Sequence, residues 1–251
     1  MGWKNEASTK RFTQPLHQLK QNRMKNTLRY ITISFSVLLG MISSNLSGQV
    51  VPLGFVNSKA EETIVIVEVT VAGKVWSKTN LDVTKYRNGE DIAYVDNETT
   101  WAAMTTGAWC YYGFDPNNAS MGKYYNGYAV HDTRGLAPSG WHIPTKTEVS
   151  YAGFFDSVSK LRASSSWTLI GTDDYGFALM PTGRINDNGG SAFTAVGGEY
   201  TNLWLSSFNN GQVNQPETMK FLYNSENIEF TRPPTNGRYL KWGMTIRLMK
   251  D

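Results

Sequence analysis

Cysteine and histidine are nearly absent from this chain of 251 residues, which contains one cysteine, Cys110, and three histidines. His17 lies in a leader segment, so only His131 and His142 remain in the rest of the chain. A closed zinc site needs four Cys or His ligands, which this composition cannot supply. A single thiol also excludes an intrachain disulfide.

A nucleophile–base set is also missing, because no Gly-x-Ser-x-Gly elbow occurs in the chain. His142 lies in a turn, where we expect a packed, hydrogen-bonded role. His131 precedes Asp132, a neighbour pair that is common by chance. We therefore predict that the protein is not an enzyme, with a hydrolase as the remote alternative. Two acidic side chains facing across a cleft would favour that alternative.

Residues 1–48 have the layout of a leader with a secretory signal peptide. A basic segment runs from Met24, an alternative true start, to Arg29, and a mainly apolar region of 12 residues follows at 31–42. Small residues then precede an expected cleavage near Ser47–Gln49. The apolar run is shorter than the roughly 20 residues that span a membrane. We expect a mature chain without a transmembrane segment, located outside the cell or on its outer surface.

The leader also accounts for the positive net charge of the chain. It holds 7 of the 24 basic residues and 1 of the 21 acidic ones, which leaves 17 basic and 20 acidic residues and a net charge of −3. Nucleic acid is therefore not an expected partner.

Residues 49–72 are predicted to be a linker followed by an N-terminal strand, and 73–251 a single domain. Thr63–Val71 is rich in β-branched residues, as strands are, with Glu68 indicating an exposed face. Asn97–Met104 is predicted to be a short helix capped by Asn97. The later runs Phe177–Met180, Met219–Tyr223 and Trp242–Leu248 are expected to be short strands joined by long loops.

A turn and a helix start are predicted around residue 140. Pro138 and Gly140 mark the turn, and Thr145-Lys146-Thr147-Glu148 fits a capping box, in which Thr and Glu side chains satisfy the first helical amides. Apolar residues then recur at helical spacing and predict one buried stripe. Its members are Val149, Ala152, Phe155, Val158 and Leu161.

Three motifs carry a family resemblance, and weaker landmarks accompany them in order. The motifs are Gly135–Thr145 (GLAPSGWHIPT), Gly171–Phe177 (GTDDYGF) and Trp204–Ser207 (WLSS), and the landmarks are Val75–Asp82, Tyr86–Gly89, Ala108–Tyr112 and Gly122–Asn126. From about residue 73 to 251 the chain resembles the Fibrobacter succinogenes major paralogous domain, a secreted bacterial module. The resemblance implies a C-type-lectin-like α+β fold, with an irregular antiparallel sheet, few short helices and long loops.

The chain departs from that family at two positions. Ala137 and Leu248 stand where relatives often have cysteine, so a disulfide of the relatives is absent and redox chemistry is excluded. Formylglycine-generating enzymes share the lectin-like architecture, but their chemistry depends on a pair of cysteines. Because Cys110 is the single cysteine of the chain, this activity is not expected.

Calcium is the one cofactor with candidate ligands. Asp173, Asp174, Asp187 and Glu199 could supply oxygens, although Asp and Asn also favour turns for local reasons, and Asn186–Gly190 is predicted to be a tight turn. Gln215-Pro216-Glu217 is similar to the sugar motif of C-type lectins, but their downstream Trp-Asn-Asp is missing. We therefore expect no cofactor.

Aromatic residues are abundant and point to binding. Trp76, Trp101 and Trp141 are expected in the core, whereas Trp109, Trp167, Trp204 and the pairs Tyr111-Tyr112 and Tyr124-Tyr125 fit either core or surface. Exposed rings stack on sugars or anchor protein interfaces. We predict a non-catalytic carbohydrate-binding module, or alternatively an interaction and assembly module of the cell envelope. The expected partner is a polysaccharide or an envelope protein, bound by loops between Ser166 and Pro234. The candidate residues are Trp167, Asp173, Asp174, Asn186, Asp187, Trp204, Asn209 and Asn210.

Overall fold

A computed structural model describes residues 64–151, 157–188, 198–231 and 238–251, all within one compact unit that spans Ala60–Asp251. The described residues combine short helices with three small sheets. The predicted leader and most of the predicted linker lie outside these ranges. No helix of the described part is long and apolar enough to cross a membrane.

The first sheet joins the two ends of the domain. Its order is β1 (Glu68–Val71), β2 (Lys74–Ser77), β11 (Met249–Lys250) and β6 (Trp141–His142), all antiparallel. Ala72 and Gly73, both with positive φ, connect β1 to β2 in a two-residue hairpin. The predicted strand over 63–71 is shorter than expected, because pairing within a named strand begins at Glu68, whose side chain is exposed as predicted.

The second sheet has four short strands. Its order is β10 (Gly243–Met244), β5 (Tyr124–Asn126), β4 (Ala108–Cys110) and β3 (Ala93–Tyr94). The pairs within it are antiparallel except β3 with β4, which run parallel. Strand β3 therefore lies at one edge, and β4 is buried along its length.

The third sheet has the longest strands. It orders β7 (Tyr200–Phe208), β8 (Pro216–Leu222) and β9 (Glu229–Thr231), with antiparallel pairing throughout. The predicted strand at 219–223 is therefore longer and starts earlier than expected. By contrast, Phe177–Met180 forms only an isolated bridge at Leu179, and 242–248 contributes only β10 to a named strand.

The first and third helices begin at the caps that the sequence predicts. Helix α1 (Glu98–Ala103) begins at Asn97, whose side chain accepts a hydrogen bond from the Thr100 amide. Helix α2 (Gly127–Val130) is a single turn. Helix α3 (Lys146–Tyr151) begins at the predicted capping box: Glu148 Oε2 accepts from Thr145 N at 2.8 Å, and Thr145 Oγ1 accepts from Glu148 N at 3.2 Å.

The helix that was predicted to run through Leu161 differs from the structure. Residues 152–156 lie outside the described ranges, and Val158–Lys160 forms a separate 3-10 turn. Val149, Val158 and Leu161 are nevertheless all buried in one apolar cluster, as predicted, whereas Ala152 and Phe155 fall among the undescribed residues. The predicted burial is correct for these three residues because Val149 reaches the core from α3, and Val158 and Leu161 reach the same core from the 3-10 turn.

The described residues therefore form an α+β domain with several mostly antiparallel sheets and short helices. Trp76, Trp101 and Trp141 are buried, which confirms their assignment to the core. Cys110 is fully buried, and burial raises the pKa of its thiol well above the usual value. The thiol therefore behaves as a small apolar group.

Candidate ligand-binding surface

Tyr94 is the most accessible large aromatic residue among those that the structure describes, with 45% of its surface exposed. It lies on β3, the edge strand of the second sheet. The parallel register of β3 with β4 places Tyr94 directly beside Trp109. An edge position with a supporting neighbour therefore presents this ring to solvent while holding it in place.

Three rings form a continuous aromatic surface, defined here as Tyr94, Trp109 and Tyr111. The ring centres of Tyr94 and Trp109 are 4.6 Å apart, and those of Trp109 and Tyr111 are 5.2 Å apart in an edge-to-face arrangement. Trp109 is itself buried, and its Nε1 donates a hydrogen bond of 3.1 Å to the Ile92 oxygen. Trp109 thus acts as the rigid base of the surface.

Lys123 supports the aromatic surface from below. Its side chain is buried, with Nζ 4.8 Å from the ring centre of Trp109 and 5.5 Å from that of Tyr111. Nζ also donates to the Asp82 carboxylate and, at 3.1 Å, to the Asp82 backbone oxygen. These contacts anchor an exposed carboxylate at the rim, because the Asp82 side chain remains 60% exposed.

Further acidic groups lie around Tyr94. Partial burial is the largest cause that raises the pKa of the Tyr94 hydroxyl, and the carboxylates of Asp96 and Asp115 act in the same direction. Asp115 is held in place because its Oδ1 accepts a 2.9 Å hydrogen bond from the Asn117 amide. The surface therefore combines an exposed ring face with carboxylate acceptors. That combination can meet the C–H face and the hydroxyls of a sugar.

A concave feature separate from the aromatic surface lies beside the predicted turn at residue 140. It is an open groove of about 370 Å³, with Val130, Leu136 and Ile143 on its walls together with Arg87, His142 and Glu148. The His142 ring bridges two carboxylates: Nδ1 is 2.7 Å from Asp251 Oδ1, and Nε2 is 3.1 Å from Glu148 Oε1. His142 therefore has the hydrogen-bonded role that its position predicts.

Opposing effects set the protonation of Glu148. Partial burial, the largest single cause, would raise its pKa, but hydrogen bonds from Thr145 and the charge of His142 together lower it below the usual value. Ser206 also faces the groove, and its Oγ donates to the Ile143 oxygen at 2.7 Å. The polar side chains of His142, Glu148 and Ser206 thus make hydrogen bonds that hold the turn, α3 and the C-terminus together.

Two of the predicted ligand residues, Trp167 and Trp204, are buried and are corrected here to core residues. Trp204 has no exposed surface, and its Nε1 donates to the Tyr125 oxygen at 2.8 Å. Trp167 is buried in another apolar cluster, and its Nε1 donates to the Leu179 oxygen at 2.6 Å. A ring without exposed faces cannot stack on a ligand, so neither residue is retained.

The acidic and amide candidates occupy separate turns. Asp173 has a positive φ of 52°, and its Oδ1 accepts from the Ala178 amide at 2.7 Å, while Asp174 is exposed beside it. Asn186 accepts from Arg184 Nε at 3.1 Å, and Asp187 pairs with Arg238 at 3.3 Å. These contacts match the local turn roles that Asp and Asn favour.

The remaining candidates also lie at turns. Asn209 donates to Gln215 at 2.7 Å, Asn210 is exposed with a φ of 51°, and Glu199 is exposed just before β7. The four calcium candidates Asp173, Asp174, Asp187 and Glu199 are not gathered: within the described residues, no three Asp, Glu, His or Cys side chains could hold a metal ion together.

Sequence reasoning missed Tyr94, Asp82, Asp96 and Lys123. No local pattern indicates that Tyr94 is exposed: in the segment Asp91-Ile92-Ala93-Tyr94-Val95-Asp96, alternation places it on the same face as Ile92, which is buried. The contribution of Lys123 and Asp82, 41 residues apart along the chain, arises only from tertiary contacts.

The described sheets and turns place the recognisable motifs together in a domain that begins near β1 and ends at β11. Residues 69–250 match the Fibrobacter succinogenes major domain, and the chain belongs to this family. No curated protein and no solved structure matches the chain.

Proposed function

We propose that the protein is a secreted, non-catalytic carbohydrate-binding module, located outside the cell or on its outer surface. Its binding site is the aromatic surface, in which the exposed Tyr94 and the half-buried Tyr111 meet the ligand and the buried Trp109 supports them, together with the rim carboxylates of Asp82, Asp96 and Asp115. The observation that carries this proposal is the 45% exposure of Tyr94, whose ring packs on Trp109. The proposed site replaces the loops after Ser166 as the expected contact region.

The chemistry of the surface supports a neutral polysaccharide as ligand. A tyrosine ring offers an apolar face to the C–H groups of a sugar and a hydroxyl at its rim. Asp82 and Asp96 add acceptors that can bind sugar hydroxyls. Because the Trp109 and Lys123 side chains are packed beneath, little order has to be created on binding.

Two observations favour binding over catalysis. Both ring nitrogens of His142 face carboxylates, so neither is available to take a proton from a serine hydroxyl. The His131 ring packs against Phe208 with ring centres 4.0 Å apart, and burial lowers the pKa of His131 to about 4. A histidine kept neutral in an apolar setting is suited to packing.

The proposal also includes a C-type-lectin-like arrangement and export by the N-terminal leader. Small antiparallel sheets, short helices and long connections are compatible with the former. The order of basic, apolar and small residues in 1–48 supports the latter. N-terminal sequencing of the exported protein should find a start near Gln49, whereas a start before Ile31 would contradict export by cleavage.

The test is a titration of soluble polysaccharides followed by calorimetry, with and without a calcium chelator. We expect weak binding, about −4 to −8 kcal/mol, that persists with chelator. Tyr94→Ala should abolish it and Tyr94→Phe should retain most of it. Tyr128→Ala, at a half-buried tyrosine on α2, is the matched control and should bind normally.

Three outcomes would change the proposal. Retained binding in Tyr94→Ala would remove the aromatic surface as the site. Loss of binding with chelator would assign the acidic loops to a metal site. Failure to bind any glycan, together with specific capture of an envelope protein, would favour the interaction and assembly module.

A further inference from the structure

Strand β1 leaves one side of its backbone unpaired within the described residues. It is the edge strand of the first sheet, and Lys78 N donates to Val67 O at 2.7 Å, so pairing with β2 continues one residue pair before Glu68. Along an antiparallel strand, the backbone N–H and C=O groups of successive residues point alternately to the two edges of the strand. The backbone groups of Val67, Val69 and Val71 point to β2, so those of Ile66, Glu68 and Thr70 point to the free edge.

The side chains of this edge are unusually apolar for an exposed strand. Val65 is 82% exposed and Val67 is 53% exposed. Their side chains lie on the same face of the strand as those of Val69 and the buried Val71. Natural edges are commonly protected by charge, proline or a bulge. The sole charge of residues 64–71 is Glu68, which Lys250 Nζ neutralises at 2.6 Å.

We propose that this edge pairs with the same edge of a second copy of the chain, antiparallel and centred on Val67. In that register Ile66 lies opposite Glu68 of the other copy and Thr70 lies opposite Ile64. Val67 lies opposite itself and Val65 opposite Val69, so the exposed valines form one cross-strand ladder. Centring on Glu68 would instead place two carboxylates face to face, which disfavours that alternative.

The size of the edge sets the expected strength. An edge of about seven residues per copy buries much less than the roughly 800 Å² per partner of a standard interface. Self-association should therefore be weak and should be seen at high protein concentration or after covalent trapping. The interaction uses no residue of the aromatic surface, so it stands or falls independently of glycan binding.

Cysteine trapping tests both the pairing and its register in the otherwise unchanged chain. Val67 would form a non-hydrogen-bonded pair with itself, the arrangement that brings side chains closest and within reach of a disulfide. Under mild oxidation, Val67→Cys should give a disulfide-linked dimer on a non-reducing gel. Val213→Cys is the matched control, at a valine that is 72% exposed elsewhere, and should give several-fold less. Buried Cys110 does not compete.

Two further variants make the outcome decisive. Glu68→Cys should trap poorly in the proposed register, because the two substituted side chains would be offset along the strands. Val67→Lys should lower self-association of the protein in sedimentation velocity, and Val213→Lys should not. The proposal is overturned if Val67→Cys traps no better than Val213→Cys, or if Glu68→Cys traps best.

Discussion

Trp204 and Tyr125 are 79 residues apart in the chain, yet the indole Nε1 of Trp204 donates a 2.8 Å hydrogen bond to the backbone oxygen of Tyr125. The bond joins β7 of the third sheet to β5 of the second. Both residues are completely buried. A large ring and a satisfied polar group thus connect the two sheets.

Trp204→Ala should therefore destabilise the fold and leave a cavity between the two sheets. The expected loss is about 3–5 kcal/mol in the free energy of unfolding, measured by chemical denaturation. Tyr94→Ala, at an exposed ring, should cost far less. A Trp204→Ala variant that unfolds like the wild type but no longer binds glycan would return Trp204 to the binding site.

Acid should weaken the fold through His131. Burial lowers its pKa to about 4 from the usual 6.5, and its Nε2 is buried without a hydrogen-bond partner among the described residues. Between these two pH values the unfolded chain binds more protons than the folded one, so stability falls as the pH is lowered from 6.5 to 4. The difference amounts to about 3 kcal/mol.

His131→Phe isolates this effect because it keeps a ring against Phe208 but cannot take up a proton. Unfolding free energies measured at steps between pH 7 and 4 should fall less steeply for the variant than for the wild type. Glu148, whose pKa is lowered, contributes stability that is lost only at more acidic pH, as its carboxylate becomes protonated. Parallel pH profiles for the two proteins would contradict the assignment to His131.

The capping box at α3 should have a modest, local effect. Thr145→Ala removes the hydroxyl that accepts from the Glu148 amide and should lower stability by about 1 kcal/mol. Thr147→Ala makes the same chemical change at an exposed position of the same helix and should be nearly neutral. Equal stabilities of the two variants in thermal or chemical denaturation would show that the cap is dispensable.

Arg247 should not tolerate lysine. Its buried guanidinium donates to Asn80 Oδ1 at 2.7 Å and to four backbone oxygens, those of Ser77, Lys78, Phe177 and Ala178. Lysine has three donors at one point and cannot reproduce this fork. Losing two hydrogen bonds from a charged group should cost at least about 3 kcal/mol.

The matched control for Arg247→Lys is Arg184→Lys. Arg184 is half-buried, donates to Asn186 and stacks 4.0 Å from the Trp242 ring centre. Its replacement should cost about 1 kcal/mol or less. Comparable losses for the two variants in chemical denaturation would mean that the bonds of Arg247 add little to the stability of the core.

Local features of the fold could be predicted because their causes are local. The capping box at Thr145–Glu148 and the Asn97 cap bond atoms within three residues of each other, so spacing alone identifies them. Helix α3 was predicted too long, because periodic apolar residues indicate burial and not continuous helix. Val158 and Leu161 reach the same core from a separate turn.

Composition could not predict which of the aromatic residues are buried and which are exposed. Whether Trp167 and Trp204 are core or surface depends on finding a partner for each indole N–H. Those partners are the Leu179 and Tyr125 oxygens, whose positions no local pattern indicates. Tyr94 is exposed for the opposite reason: β3 is paired on one side only, and Trp109 supports the inner face of the ring.

The sequence by itself determined the family, the single thiol, the negative net charge of residues 49–251 and the starts of α1 and α3. Each follows from residue identity or from spacings of a few residues. Only the tertiary structure decided which rings are buried, that Lys123 and Asp82 support one aromatic surface, and that β1 is an edge. Those properties depend on contacts between distant segments, and side-chain burial is settled only when the sheets have packed together.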